Sequence, residues 1–204
     1  MNKITKRYTN PSKPGSFLGL SGFKKNNSKN KDIENSLLKL NALTLYRNKR
    51  KNFKRCKTIV AGLDDEWQID LIDVKNLKGS NYGNSYIFTC IDVFSKNAWA
   101  KAIKVKEAKE CKRVFKQILD ESQRKPNYLY LDGGNEFKGE FKSFCNEKNI
   151  LIFPSKSKLK AAVVERFNRS LKEKMWRMFT YKSSLKEKKP KKFYKFLRRS
   201  CEFL

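Results

Sequence analysis

The sequence predicts an α/β fold built on a mixed five-stranded sheet, and three observations carry that reading. Three strand-like runs, 67–74, 86–93 and 98–105, follow one another with only short turn segments between them, which suits antiparallel hairpins. Two further apolar runs, 128–131 and 150–153, each come after a stripe at helical spacing, as crossover strands do. A long amphipathic stretch from about 161 to 179 closes the pattern.

The elements follow in order. Trp67 to Val74 is the first strand, Tyr86 to Val93 an almost continuous apolar second, and Ala98 to Val105 the third. The turn signals are Gly79-Ser80-Asn81-Tyr82-Gly83-Asn84 and Ser95-Lys96-Asn97. Ala108, Cys111, Val114, Phe115 and Ile118 then form one helical stripe, and Pro126 introduces the fourth strand, Tyr128 to Leu131. Phe137, Phe141, Phe144 and Cys145 form a second stripe before the fifth strand, Ile150 to Phe153. The last helix runs from about Ala161 to Phe179, with Val164, Phe167, Leu171, Met175 and Met178 as its buried stripe. Three antiparallel strands followed by helix, strand, helix, strand, helix is the order of a ribonuclease-H-like fold.

On either side of this unit, read as residues 59–182, the composition changes. Residues 1–58 read as a small, basic N-terminal extension, partly disordered or helical. Asn10-Pro11-Ser12-Lys13-Pro14-Gly15 looks mobile, and Ile33, Leu37 and Leu40 repeat at helical spacing. The run from Arg47 to Lys57, which holds Arg50, Lys51, Lys54 and Arg55, reads as a segment that tracks a DNA backbone or as a nuclear import signal. A solvated tail without a specific partner stays open for the far N-terminus. Residues 183–204 read as a lysine-rich tail with a short aromatic helix candidate from Phe193 to Phe203.

Charge and residue usage narrow the function. The chain has 204 residues, 48 Lys and Arg against 20 Asp and Glu, and a net charge of +28. That excess favours a polyanion through phosphate contacts and counterion release, so nucleic acid is the expected partner. A membrane surface is the weaker alternative, since the basic residues are spread along the chain and no segment has the apolar length of a span. The sequence contains no histidine, which removes Ser-His and Cys-His nucleophile pairs, imidazole bases and His/Cys zinc sites. The five cysteines, Cys56, Cys90, Cys111, Cys145 and Cys201, are odd in number and widely spaced, and read as core or incidental thiols of a reducing compartment. Met1 to Asn10 has no apolar signal core, so an intracellular, nuclear location is expected.

Catalysis therefore falls to carboxylates and metal. Asp70 lies inside a strand, Asp132 ends a strand just before Gly133-Gly134, and Glu165 opens the last helix. Two strands and a helix giving one acid each is how a polynucleotide-processing site holds divalent ions on oxygen ligands. Asp73, Asp92, Asp120 and Glu136 are rivals. Asp73 points to the other sheet face, Asp92 suits a turn cap, and Glu136 is the serious alternative as third ligand. Glu165, Arg169 and Lys172 share a helical face at i, i+4 and i+7, either as a metal ligand with phosphate clamps beside it or as an ordinary solvated ion-pair face.

Four segments, Trp67-Gln68-Ile69-Asp70, Ile91 to Lys96, Asp132-Gly133-Gly134-Asn135-Glu136-Phe137 and Val163 to Lys172, together resemble the catalytic core of retroviral-type integrases. The Glu165-Arg166-Phe167-Asn168-Arg169 helix start and the following Met175-Trp176-Arg177 look most like integrases of Maverick or Polinton DNA transposons. The resemblance covers about residues 45–182. It implies a DDE-type enzyme for 3′-end processing and strand transfer, with Asp70, Asp132 and Glu165 holding two magnesium ions and manganese as a substitute. It also implies donor-DNA contacts by Asn168, Arg169 and Lys172, a mobile loop over 154–160 that brings Lys158 and Lys160 to DNA, and homo-oligomers that synapse transposon ends with target DNA. An N-terminal zinc module of the kind such enzymes often carry is chemically impossible here. The pattern stops after Lys182, so a truncated copy is also expected. A catalytically inactive nucleic-acid-binding descendant and a ribonuclease-H-like nuclease are the alternatives.

Overall fold

The computed structural model describes residues 2–27, 32–46, 58–154, 161–184, 192, 193 and 197. The chain divides into two compact units, Lys57–Asn168 and a second made of Met1–Cys56 with Arg169–Leu204. The division falls between Asn168 and Arg169, inside the last helix. A continuous helical stripe gives no sign of which neighbours each turn will have.

Lys57–Asn168 contains a five-stranded mixed sheet, β1 (Glu66–Asp73), β2 (Tyr86–Asp92), β3 (Ala98–Ile103), β4 (Tyr128–Leu131) and β5 (Leu151–Pro154), in the order β3-β2-β1-β4-β5. β1, β2 and β3 pair antiparallel, whereas β4 and β5 join parallel. A parallel join needs a crossover, supplied by α5 (Ala108–Ser122) before β4 and by α6 (Glu140–Glu147) before β5. These assignments agree with the periodicity to within two residues at the strand ends. The β1–β2 connection differs from a plain hairpin turn, because Lys75–Ser80 winds into a 3-10 helix that buries Leu77. Phe137 belongs to a separate 3-10 turn, Asn135–Phe137, rather than to the helix after it.

One sheet face packs on α5 and α6 through Trp67, Ile69, Phe88, Cys90, Phe115 and Phe141, all fully buried. Each such side chain contributes about 1.5–3 kcal/mol of burial. Cys90, Cys111 and Cys145 are buried, free thiols, and burial pushes the last two up to about 12, which leaves them unreactive.

The second unit holds short helices in the extension that the sequence reads as partly disordered or helical. It holds the short helices α1 (Lys3–Tyr8), α2 (Leu20–Lys25), α3 (Ile33–Leu38) and α4 (Asn41–Thr44), together with the part of α7 (Ala162–Ser184) from Arg169 onward. The Asn10–Gly15 segment is a chain of hydrogen-bonded turns that delivers Ser16 and Phe17 to full burial. The Tyr8 ring lies 5.6 Å from Phe17 and 5.3 Å from Phe23, and its hydroxyl donates to the Leu18 carbonyl at 3.0 Å. Burial pushes the Tyr8 phenol up to about 12, with the Arg177 charge working against it. Arg177 is itself buried and donates to the carbonyls of Phe17 at 2.9 Å and Tyr46 at 3.2 Å. Six-residue helices are marginal alone, so this aromatic core and the guanidinium bonds, rather than local propensity, hold them.

Candidate active site

The register of the sheet builds the site. Gln68 pairs with Tyr130 and Ile69 with Leu131 across the parallel β1–β4 join. One further step sets Asp132, the first residue past β4, beside Asp70 on the sheet face opposite the α5–α6 core. Asp70 is half-buried and Asp132 exposed. The third acid comes from α7. Gln68, two residues before Asp70 and on the same face, accepts from the backbone N–H groups of Val163 at 3.0 Å and Val164 at 3.1 Å. These are first-turn donors that no residue of the helix itself can satisfy, so a buried strand side chain caps the helix from outside. The Gln68 amide is oriented by donating to Glu66 at 2.8 Å. Glu165 then begins the regular helical bonding, donating its N–H to the Ala161 carbonyl at 3.0 Å, and its side chain is exposed. An acid in this first turn also suits the helix dipole.

Asp70 is the electrostatic centre of the group. Its two oxygens accept from the Leu71 N–H at 2.8 Å and from the Asn168 amide at 2.7 Å. Burial nevertheless raises its carboxyl above the ordinary range, and the charges of Glu165 and Asp132 push the same way while the two hydrogen bonds oppose. Both other acids therefore act on Asp70 through space. They do not close around one point: among the described residues no three His, Cys, Asp or Glu side chains are gathered tightly enough to hold a single ion. Asp132 accepts from the Gly133 N–H at 2.8 Å. The donor set is all carboxylate oxygen, which suits magnesium, and its mutual repulsion is the condition a hard divalent cation relieves.

Other residues expected at the site fall into three groups. Arg169 and Lys172 are exposed on α7, as the helical face required. Lys158, Lys160, Arg50, Lys51, Lys54 and Arg55 lie outside the described residues. Asn168, expected to face donor DNA, is buried, and its amide donates to Asp70. Three residues beyond Glu165, it is turned inward while Glu165 faces solvent. Its amide oxygen is buried without a hydrogen-bond partner. Asn168→Ala is expected to raise the Asp70 carboxyl further, since the bond it removes lowers it. A pH–rate profile would then show the acidic limb of divalent-dependent activity displaced to higher pH, with DNA affinity little changed.

The rival carboxylates are all otherwise engaged or remote. Glu136 is buried and bonded to Lys106 Nζ at 2.9 Å, and a Cβ on Gly134 would collide with its carboxylate, which gives that glycine its reason. Lys106 is raised by that bond first and more weakly by Asp70. Asp73 accepts from the Lys75 N–H at the exposed end of β1. Asp92 is fully buried and accepts from the N–H groups of Phe94 and Ser95, from the Ser95 hydroxyl and from Arg124. Strand parity alone could have flagged Gln68, since it shares a face with Asp70; nothing in the sequence flagged the Lys106–Glu136 pair.

A five-stranded mixed sheet in the order β3-β2-β1-β4-β5, flanked by helices, is the ribonuclease-H-like fold, and the fold comparisons agree. The chain matches the HTLV-2 integrase catalytic core domain, determined with magnesium, at a TM-score of 0.54, with 20% identity over 70% of this chain and 86% of that one. It also matches a chain of the simian T-cell lymphotropic virus intasome bound to the PP2A regulatory subunit B56 gamma, at a TM-score of 0.58 and 16% identity, over 90% of this chain and 63% of that one. By sequence it is 32% identical over 106 residues to an uncharacterised transposon-derived protein of Caenorhabditis elegans, covering 52% of this chain. It is 25% identical over 144 residues to the retrovirus-related Pol polyprotein from transposon 297 of Drosophila melanogaster, covering 70% of this chain. The chain spans 37% and 13% of the length of these two relatives. No protein-family profile matches it. The chain thus shares the fold of these integrase structures. Among the described residues no helix is long and apolar enough to cross a membrane.

Proposed function

We propose that this chain is a DDE-type polynucleotidyl transferase that trims DNA 3′ ends and joins them to target DNA. The observation that carries the proposal is geometric: the β1–β4 register sets Asp132 beside Asp70, and Gln68 on the same face ties down the first turn of the helix that carries Glu165. Asp70, Asp132 and Glu165 would hold two magnesium ions, which, when bound, supply a lowered pKa for the attacking water or 3′ hydroxyl and charge neutralisation at the leaving oxygen. The chain's own residues do the positioning. Asn168 orients Asp70, Gln68 anchors the helix that carries Glu165, and Arg169 and Lys172 offer exposed cations for phosphates farther along that helix. One phosphodiester replaces another, so no nucleotide cofactor is required. The presence of transposon-derived and integrase relatives supports a transposable-element source, and the Glu165-Arg166-Phe167-Asn168-Arg169 and Met175-Trp176-Arg177 motifs support a Maverick or Polinton type. Work on DNA ends would take place in the nucleus, in a homo-oligomer that brings two ends together.

One observation favours a second reading, a non-catalytic DNA-binding descendant: the three acids are not gathered tightly enough to hold a single ion, and both Asp70 oxygens are taken by hydrogen bonds. Incubating the chain with a labelled duplex end and plasmid in magnesium or manganese separates the two. Joined products that vanish when the metal is chelated are expected. Binding without cleavage or joining in either metal selects the second reading, and cleavage without joining selects a nuclease.

A further inference from the structure

Charge is divided very unevenly between the two units. The helical unit, Met1–Cys56 with Arg169–Leu204, holds 28 of the 48 Lys and Arg but 5 of the 20 Asp and Glu, a net of about +23. The unit with the candidate active site holds the other 20 basic and 15 acidic residues, a net of about +5. That unit also exposes Asp132 and Glu165, whose charges oppose an approaching phosphate until cations are bound. Long-range attraction for a polyanion therefore has little source there.

The helical unit has the reverse character. Its described acids are Asp32, Glu34 and Glu173, and two of these already bond to cations of the same unit, Glu34 to Lys24 at 2.6 Å and Glu173 to Arg177 at 3.3 Å. On α1, Ile4, Thr5 and Tyr8 turn inward while Lys3, Lys6 and Arg7 are exposed. Lys13, Lys25 and Lys39 are exposed on the turns and helix ends that follow. Cations in the last turns of α1 and α2 gain about 0.3–1 kcal/mol each from the helix dipoles. That gain accounts for a few of them, but an excess of this size repels itself and needs an external anion. Duplex DNA fits better than a bilayer, because among the described residues of this unit Leu38 and Leu45 are the large exposed apolar side chains, too few for an inserting face.

We propose that the helical unit is the chain's principal grip on duplex DNA, holding the phosphate backbone without reading sequence. The inference rests on the integrase reading for its choice of DNA, and it assigns binding to Lys3, Lys6, Arg7, Lys13, Lys25 and Lys39, apart from the carboxylate site.

The test uses the full chain without divalent metal, so that it is independent of catalysis. In one variant these six residues become Gln; in a second, six exposed lysines of the other unit do, Lys78, Lys104, Lys109, Lys116, Lys142 and Lys148. Circular dichroism checks that both remain folded. Anisotropy of a labelled duplex is followed from about 50 to 200 mM salt, where each lost phosphate contact lowers the log–log slope by about 0.9. We expect the first variant to bind at least ten-fold more weakly with a slope reduced by several units, and the second to stay within about three-fold of the parent. Equal losses in both variants, or no loss in the first, would overturn the assignment, as would preferential binding of anionic lipid vesicles or of single-stranded RNA over duplex DNA. If wild type joins no ends while the first variant alone loses binding, the enzyme reading fails and this one stands; joining with binding lost from the second variant gives the reverse.

Discussion

Asp70→Asn is expected to lower divalent-dependent end joining by about three orders of magnitude or more, because it removes the carboxylate on which the other two acids converge. It should do so without unfolding the chain. The Leu71 N–H can still donate to the asparagine oxygen, and once the Asn168 amide turns over, its oxygen accepts from the asparagine N–H₂ group. The linkage has a definite sign. A carboxyl whose folded-state pKa is raised holds the native state back once it ionises, so the charged Asp70 costs stability above the ordinary carboxylate range. Asp70→Asn should therefore melt higher than the wild type at pH 7 in chelator. Added magnesium should raise the wild-type melting temperature and leave the variant's unmoved, since a ligand that binds only the native state stabilises it by mass action. A variant that still joined ends, or a wild type indifferent to magnesium in both melting and joining, would remove Asp70 from the metal site.

The backbone of this site was legible in the sequence, and its side-chain partnerships were not. Strand alternation suffices to put Asp70 on one face and Ile69 on the other, and a helix that begins just before Glu165 is marked by its apolar stripe. The Asn168–Asp70 bond was not legible, because position on a helix says how far around the axis a residue lies, not which neighbour has a lone pair for it. The packing of the helical unit was legible only in part. Ile33 and Leu37 show helical spacing, but its first four helices span six residues or fewer, and residues that tie them together, Phe17 and Arg177, lie 160 positions apart. Glu136, the serious alternative as third ligand on sequence alone, is bonded to Lys106 in a buried position, a pairing that spacing along the chain does not reveal.

Arg124 also escaped the sequence reading, in a polar stretch between α5 and β4, and its loss is expected to cost the most stability. Its guanidinium makes bonds of 2.7 Å to Asp64 and 2.6 Å to Asp92, and lies 5.7 and 5.5 Å from the Trp67 and Trp99 rings. Asp92 has no exposure at all. Burial pushes its carboxyl up, yet Ser95, Arg124 and the Phe94 and Ser95 N–H groups more than reverse this and hold it below its ordinary value. Arg124→Ala leaves that charge buried with only neutral donors, which costs about 3 kcal/mol. For a chain of this size that is a fall of about 9 °C in melting temperature. Arg124→Lys should recover part of it, keeping the charge but losing the fork and the stacking. A depressed native carboxyl contributes stability above its unfolded value, about pH 4, and loses it as pH falls through the native one. The gap between wild type and Arg124→Ala should accordingly narrow below about pH 4. Asp92→Asn combined with Arg124→Ala should cost well under the sum of the single changes, and strict additivity would mean that Arg124 acts through the tryptophans and Asp64 rather than through Asp92.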